Sequence, residues 1–182
     1  MCSKLLFLFL FTLCGSGLHA QAWGEVYLVN SIPINDQFSP EVSFRDLTDA
    51  SFGIGVALSY SVNKLTVGLN SRYISYQSNL DGLEIESFRI GPTVDYIFFN
   101  EGRFYPYVGA SLSMHQIKAV IDPSLADRSR QSNTYVGAGV RAGFILRIAN
   151  RVGLRFGAEY SHINDFPQID TTVGVAVDFG DF

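Results

Sequence analysis

The sequence predicts an all-β fold: an eight-stranded, antiparallel, up-and-down transmembrane β-barrel. Three observations predict it. Apolar residues alternate with small or polar ones along most of the chain, which is the period of a strand with two unlike faces. The composition is aromatic and poor in lysine, with 15 Phe, 9 Tyr and 17 Gly in 182 residues and lysine only at Lys4, Lys64 and Lys118. No segment past the N-terminus holds 18 consecutive apolar residues, so a transmembrane helix is excluded and the closed barrel remains as the way to satisfy every backbone group in lipid.

The N-terminus "MCSKLLFLFLFTLCGSGLHAQA" carries one lysine, an apolar run from Leu5 to Leu13 and then small residues. That is the layout of a secretory signal peptide, and Ala20-Gln21-Ala22 supplies the A-x-A cleavage pattern. Residues 1–22 therefore read as signal peptide and 23–182 as one barrel domain, with cleavage before Trp23 or, alternatively, before Gln21. Cys14 raises a lipoprotein reading, but Leu13 stands where that signal needs a small residue. Cys2 and Cys14 are the only cysteines, and both fall in the leader. The mature chain then has none, which excludes a disulfide-stapled secreted domain.

The strands follow in order. The first, Trp23–Ser31, alternates weakly; Glu25 and Tyr27 are placed inward. In the second, Ala50–Val62, the residues Phe52, Ile54, Val56, Leu58, Tyr60 and Val62 oppose Gly53, Gly55, Ala57, Ser59 and Ser61. The third is Leu65–Tyr76, with Arg72 inward. The fourth, Glu86–Phe99, sets Phe88, Ile90, Val94, Tyr96 and Phe98 against Arg89, Gly91, Thr93 and Asp95. Pro92 interrupts it, and Pro106 sits near the start of the fifth, Phe104–Ile117; each removes a ladder donor and predicts a bulge or a local gap. The sixth, Thr134–Ile148, opposes Val136, Val140, Phe144 and Leu146 to Gly137, Gly139, Arg141 and Gly143. The seventh, Val152–His162, alternates most cleanly: Val152, Leu154, Phe156, Ala158 and Tyr160 against Gly153, Arg155, Gly157, Glu159 and Ser161. The eighth, Thr171–Phe179, puts Val173, Val175, Val177 and Phe179 opposite Gly174, Ala176 and Asp178.

The second face decides which side is out. It is mostly Gly, Ala and Ser, which suits the cramped interior of an eight-stranded barrel. The large apolar face must then look outward, and only lipid accepts it. Connections alternate in length: short at Asn63–Lys64, Asn100–Arg103 and Ala149–Arg151, longer at about Ile32–Asp49, Gln77–Ile85, Lys118–Asn133 and Ile163–Asp170. Outer-membrane barrels have short periplasmic turns and long extracellular loops, so both termini are expected in the periplasm of a Gram-negative type of cell.

The stretches "RFYPYVGASLSM" (Arg103–Met114) and "RVGLRFGAEYSHI" (Arg151–Ile163) resemble the outer-membrane β-barrel family of the outer-membrane protein A transmembrane domain and its small porin-like relatives. The resemblance covers the mature chain and implies an outer-membrane location, with roles ranging from structural anchor to adhesin. No peptidoglycan-binding domain comes with it. The last strand also resembles the family's assembly signal, on Thr172, Gly174, Val177 and Phe179 with Phe182 as a second terminal aromatic. That likeness implies recognition by the barrel-insertion machinery.

Inward parity gathers a lumen charge network of Glu25, Arg72, Arg89, Asp95, Arg141, Arg147, Arg155, Glu159 and Asp178. Charges in so narrow a space must pair, and the planar guanidinium fits carboxylates; Arg155 with Glu159 is the pair expected first. The network reads as a plug, and a gated, narrow, low-conductance pore is the alternative. Barrel enzymes that modify lipid A carry His and Ser near the outer rim. Here Ser161, His162 and Asp165 are the candidates, but neighbours in a strand face opposite ways, so no catalytic residue is assigned. His115 and His162 fall on opposite faces and make a poor metal pair. The long connections hold eleven acids (Asp36, Glu41, Asp46, Asp49, Asp81, Glu84, Glu86, Asp122, Asp127, Asp165, Asp170) against Arg45, Lys118, Arg128 and Arg130. An acidic mouth of that kind suits divalent cations bridging to lipopolysaccharide, or a basic extracellular partner. No cofactor fingerprint, metal spacing or nucleic-acid patch is present. The expectation is a monomeric barrel in outer-membrane lipid and lipopolysaccharide with a structural or surface-interaction role; a soluble lipocalin-like binder is the remaining rival.

Overall fold

The computed structural model describes residues 20–34, 48–78, 83–98, 102–121, 130–163 and 166–181. Eight strands follow in order: β1 (Ala20–Pro33), β2 (Thr48–Val62), β3 (Leu65–Ser78), β4 (Leu83–Ile97), β5 (Phe104–Ile121), β6 (Arg130–Ala149), β7 (Val152–Ile163) and β8 (Phe166–Asp181). Each pairs antiparallel with its sequence neighbours, and β8 returns to β1 to close the barrel. One turn around the ladder gives the stagger. Trp23 faces Ser59, followed by Gly68, Thr93, Ser111, Gly139, Ser161, Gln168 and finally Pro33, ten residues further along β1. Strand number and stagger together set a narrow, strongly tilted barrel whose interior is filled by side chains.

The two faces are inverted relative to a soluble protein. Val136, Leu58 and Leu28 on the outside are 73%, 67% and 66% exposed, while inward Ser161 and Asp170 are fully buried. Near the short-turn end the outer face carries aromatic contacts of the kind that gird membrane barrels. Tyr96 and Phe98 meet edge to face at 5.6 Å, and Phe104, Phe144 and Phe156 form a row at 5.1 and 5.0 Å.

Inner-face glycines make room for two rings laid across the lumen. A Cβ at Gly55 would lie 2.2 Å from the Tyr27 ring, and one at Gly143 or Gly157 would lie 2.6 or 2.5 Å from the Tyr107 hydroxyl. At the turn Asn63–Lys64, Asn63 adopts the left-handed conformation (φ 56°), which asparagine tolerates better than most residues.

Three differences from the sequence reading have identifiable causes. The strands extend further at the long-connection end because ladder partners continue there. β8 starts at Phe166 instead of Thr171, since Gln168 pairs with Pro33 and Ser161 and Asp170 with Ser31 and Glu159. At Pro92 the expected local gap in the β4–β5 ladder is present, and no bulge accompanies it, because Ile90–Met114 and Thr93–Ser111 keep one register. Pro106 stays paired with Phe144, and its carbonyl accepts from the Phe98 N–H at 3.0 Å. Residues 1–19 of the stretch 1–22 expected to be a signal peptide, most of the acids assigned to the long connections and Phe182 lie outside the described residues.

The rim at the long-connection end is uneven. β5 and β6 stay paired out to Val120–Arg130, whereas β7 ends at Ile163 opposite Gly137. Residues 130–136 of β6, seven in all, therefore run past β7, and their second edge has no ladder partner among the described residues.

Candidate functional site

The lumen is where the chain collects its charge. All nine side chains of the charge network named from the sequence point into it, because each shares parity with inward glycines or serines on its own strand. They sort into two tiers and an outlier.

The first tier lies toward the long-connection end and holds Arg72, Arg89, Glu159 and Asp170. Arg72 donates to Glu159 Oε2 at 2.5 Å and to Asp170 Oδ2 at 2.6 Å. Arg89 donates to Glu159 Oε1, and to Asp170 Oδ2 at 3.2 Å, Ser111 Oγ at 3.1 Å and Ser161 Oγ at 3.3 Å. Ser111 donates to Glu159 at 2.6 Å and Gln168 to Asp170 at 3.2 Å. Two guanidiniums thus face two carboxylates, each carboxylate clamped by both.

The second tier holds Arg155, Arg141, Glu25 and Asp95. Arg155 donates to Glu25 Oε1, to Asp95 Oδ2 at 2.9 Å and, through Nε, to the Tyr107 hydroxyl at 3.0 Å. Its guanidinium sits 4.2 Å from the Tyr107 ring centre. Arg141 Nε lies 3.1 Å from Asp95 Oδ1. Between the tiers is a cavity of about 20 Å³ beside Tyr27, Asn70 and Thr172, room for about one water. The Tyr27 hydroxyl donates to Asn70 Oδ1 at 2.5 Å.

Beyond the first tier, toward the long-connection end, the interior mixes an apolar cluster of Val29, Ile74, Tyr76 and Ile85 with buried Ser31, Ser51, His115 and Gln168. Beyond the second tier, toward the short turns, the lumen opens into a cup of about 350 Å³. Arg147 and Asp178, the outlying pair, stand there 3.8 Å apart.

Two sequence assignments change. Arg155 and Glu159 do not pair: four residues apart on one strand, they are separated by about 13 Å of extended backbone, and each is held by the other strands. Asp170, assigned to the acidic mouth, is fully buried and clamps both first-tier arginines. The parity of Thr172 and Gly174, carried back two and four residues, would have found it. Glu86 is also a strand residue, opposite Lys118 and Ser75.

The enzyme candidates separate as strand parity requires. Ser161 is buried in the lumen against Arg89, His162 is exposed on the outer face, and Asp165 lies outside the described residues. His115 points inward and contacts Ser113 at 2.8 Å, enclosed by the barrel wall. No group of three potential metal ligands occurs among the described residues.

An inverted-face barrel closed in eight strands around a paired charge lattice is an integral outer-membrane protein by class. The chain belongs to the family described as the outer membrane protein beta-barrel domain, whose model matches residues 5–179. No curated protein sequence is significantly similar to it. Among solved structures it is similar to Neisserial surface protein A (20% identity, 88% of this chain and 97% of that one, TM-score 0.62). It is also similar to Ail, the attachment invasion locus protein of Yersinia pestis (12%, 89% and 100%, 0.64), and to OprG of Pseudomonas aeruginosa (14%, 90% and 98%, 0.59). At these identities the likeness carries the fold.

Proposed function

We propose that this protein works by contact at the cell surface, with its lumen closed by the two charge tiers. The observation that carries the reading is the uneven rim: a β5–β6 ribbon rises past β7 and presents residues 130–136 with one edge unpaired among the described residues. An unpaired edge is a template for strand addition by a partner. The fold neighbour from Yersinia pestis carries attachment and invasion in its name, which agrees with such a role. The signal peptide, both termini in the periplasm, the acidic long connections as a second contact surface for lipopolysaccharide or a basic partner, and a monomeric state belong to the same proposal.

Adhesion is the test. Cells displaying the protein are counted on a washed monolayer of cultured cells, beside isogenic cells lacking it and cells displaying Thr134→Lys, which places an edge-blocking charge on the ribbon. Adhesion that falls with Thr134→Lys supports the reading, and adhesion equal in all three strains defeats it. An epitope inserted within residues 122–129 should be reached by antibody on intact cells if that end faces outward. A transport reading would require conductance in planar bilayers; Arg155→Ala should leave it at baseline, because the first tier remains.

A further inference from the structure

The cup at the short-turn end is built differently from the rest of the lumen. It is walled by the rings of Trp23, Tyr105 and Tyr107 and by the hydroxyls of Ser59, Ser61 and Thr66. Its floor is Arg155 held by Glu25 and Asp95, so those carboxylates are already engaged. Arg147 is not. Its guanidinium carbon lies over two aromatic rings, 5.8 Å from the centre of Trp23 and 5.2 Å from that of Tyr105. Contacts of this kind to aromatic faces use none of its N–H donors. The nearest carboxylate oxygen, Asp178 Oδ2, is 3.8 Å from Arg147, while Asp178 Oδ1 accepts from the Gly180 N–H at 2.8 Å. The buried Arg147 Nε has no hydrogen-bond partner, and the side chain keeps 28% of its exposure.

A guanidinium resting on aromatic rings, with its carboxylate at 3.8 Å and part of its surface open to a cavity, has the form of an oxyanion receptor. The geometry points to the cup as a binding site for a small carboxylate- or phosphate-bearing molecule, gripped by Arg147 and hydrogen-bonded by the serine and threonine wall. The volume of about 350 Å³ is at the small end for ligand sites, which run from about 300 to 1,000 Å³. It fits a molecule of monosaccharide or short dicarboxylate size. Because Arg147 faces the lumen, the ligand is a soluble molecule and not a lipid headgroup of the surrounding bilayer. The site lies at the opposite end of the barrel from the raised ribbon and stands independently of the adhesion reading.

Trp23 is the only tryptophan in the chain, so its fluorescence reports on the cup alone. The folded protein in nonionic, phosphate-free micelles is titrated with inorganic phosphate and, in a parallel arm, with succinate. Sodium chloride at matched ionic strength is the control. A saturable change is expected with phosphate, succinate or both, and none with chloride. Arg147→Met should raise the midpoint at least tenfold. Asp178→Asn, which removes the competing carboxylate, should lower it several-fold. Each variant is first checked for native, heat-modifiable gel mobility, and if Arg147→Met fails to fold, the shift in Asp178→Asn decides. A response reproduced by chloride, a wild-type midpoint in Arg147→Met or an unmoved midpoint in Asp178→Asn would overturn the site.

Discussion

The middle of the lumen and its short-turn end use the same residue types and treat them in opposite ways. In the middle, Arg72, Arg89 and Arg155 are nearly inaccessible, and each reaches two carboxylates within 3.2 Å. At the end, Arg147 is part-exposed and its carboxylate stands off at 3.8 Å. Burial forces the first arrangement, since an unpaired ion away from water costs several kcal/mol. Where water reaches the guanidinium, that demand lapses and an arginine can wait for something else to bind. The contrast therefore separates charges that are engaged by one another from a charge that is presented.

The sharpest way to break the middle is to unbalance it. Glu159→Ala leaves two guanidiniums sharing one carboxylate, and should cost roughly 3–5 kcal/mol, the usual penalty for stranding a buried charge. Urea unfolding followed by heat-modifiable gel mobility would measure it. A loss under about 1 kcal/mol would mean the tier is wetter than its burial indicates. The complementary variant replaces the whole tier by apolar residues at once: Arg72→Met, Arg89→Met, Glu159→Leu and Asp170→Leu together. With no ion left unpaired, stability should stay at or above that of the wild type, and a large loss would show that the lattice also specifies register.

The same contrast explains what could be read in the sequence. Strand count, faces and the inward set follow from parity, because in lipid the outer face must be continuously apolar and every exception stands out. Val152–His162 shows both faces without ambiguity. Pairing partners are another matter. Parity says that Arg155 and Glu159 share the lumen, but their true partners lie across it on strands up to 130 residues away in sequence. Asp170 was hidden by Pro167 and the polar run around it, which resemble a loop until β1 supplies the pairing edge. The aromatic cage of Arg147 has no local signal at all, since it joins Trp23, Tyr105 and Arg147 from three strands.

A smaller effect tests whether the inner glycines are spacers for the rings. Gly157→Ala places a Cβ about where the Tyr107 hydroxyl now sits, 2.5 Å away, and the ring can shift only by disturbing its bond with Arg155. Such overpacking costs about 1–3 kcal/mol. Pairing it with Tyr107→Phe, which removes the clashing oxygen, should recover part of that loss. No recovery would place the strain at the Thr172 hydroxyl, the next atom at 2.9 Å.

The smallest effect is expected at Arg147, and its smallness is the informative part. If this guanidinium were structural like those above it, Arg147→Met would cost several kcal/mol. Its nearest carboxylate is 3.8 Å away and it retains access to water, so the ion pair itself is worth about 0–1 kcal/mol. Stacking on Trp23 and Tyr105 adds about as much again at a partly exposed position, and a methionine keeps some of that packing. The net loss in urea unfolding should therefore be under about 1.5 kcal/mol, well below Glu159→Ala. A loss as large as that of Glu159→Ala would make Arg147 a third clamp of the barrel and erase the distinction between the two regions.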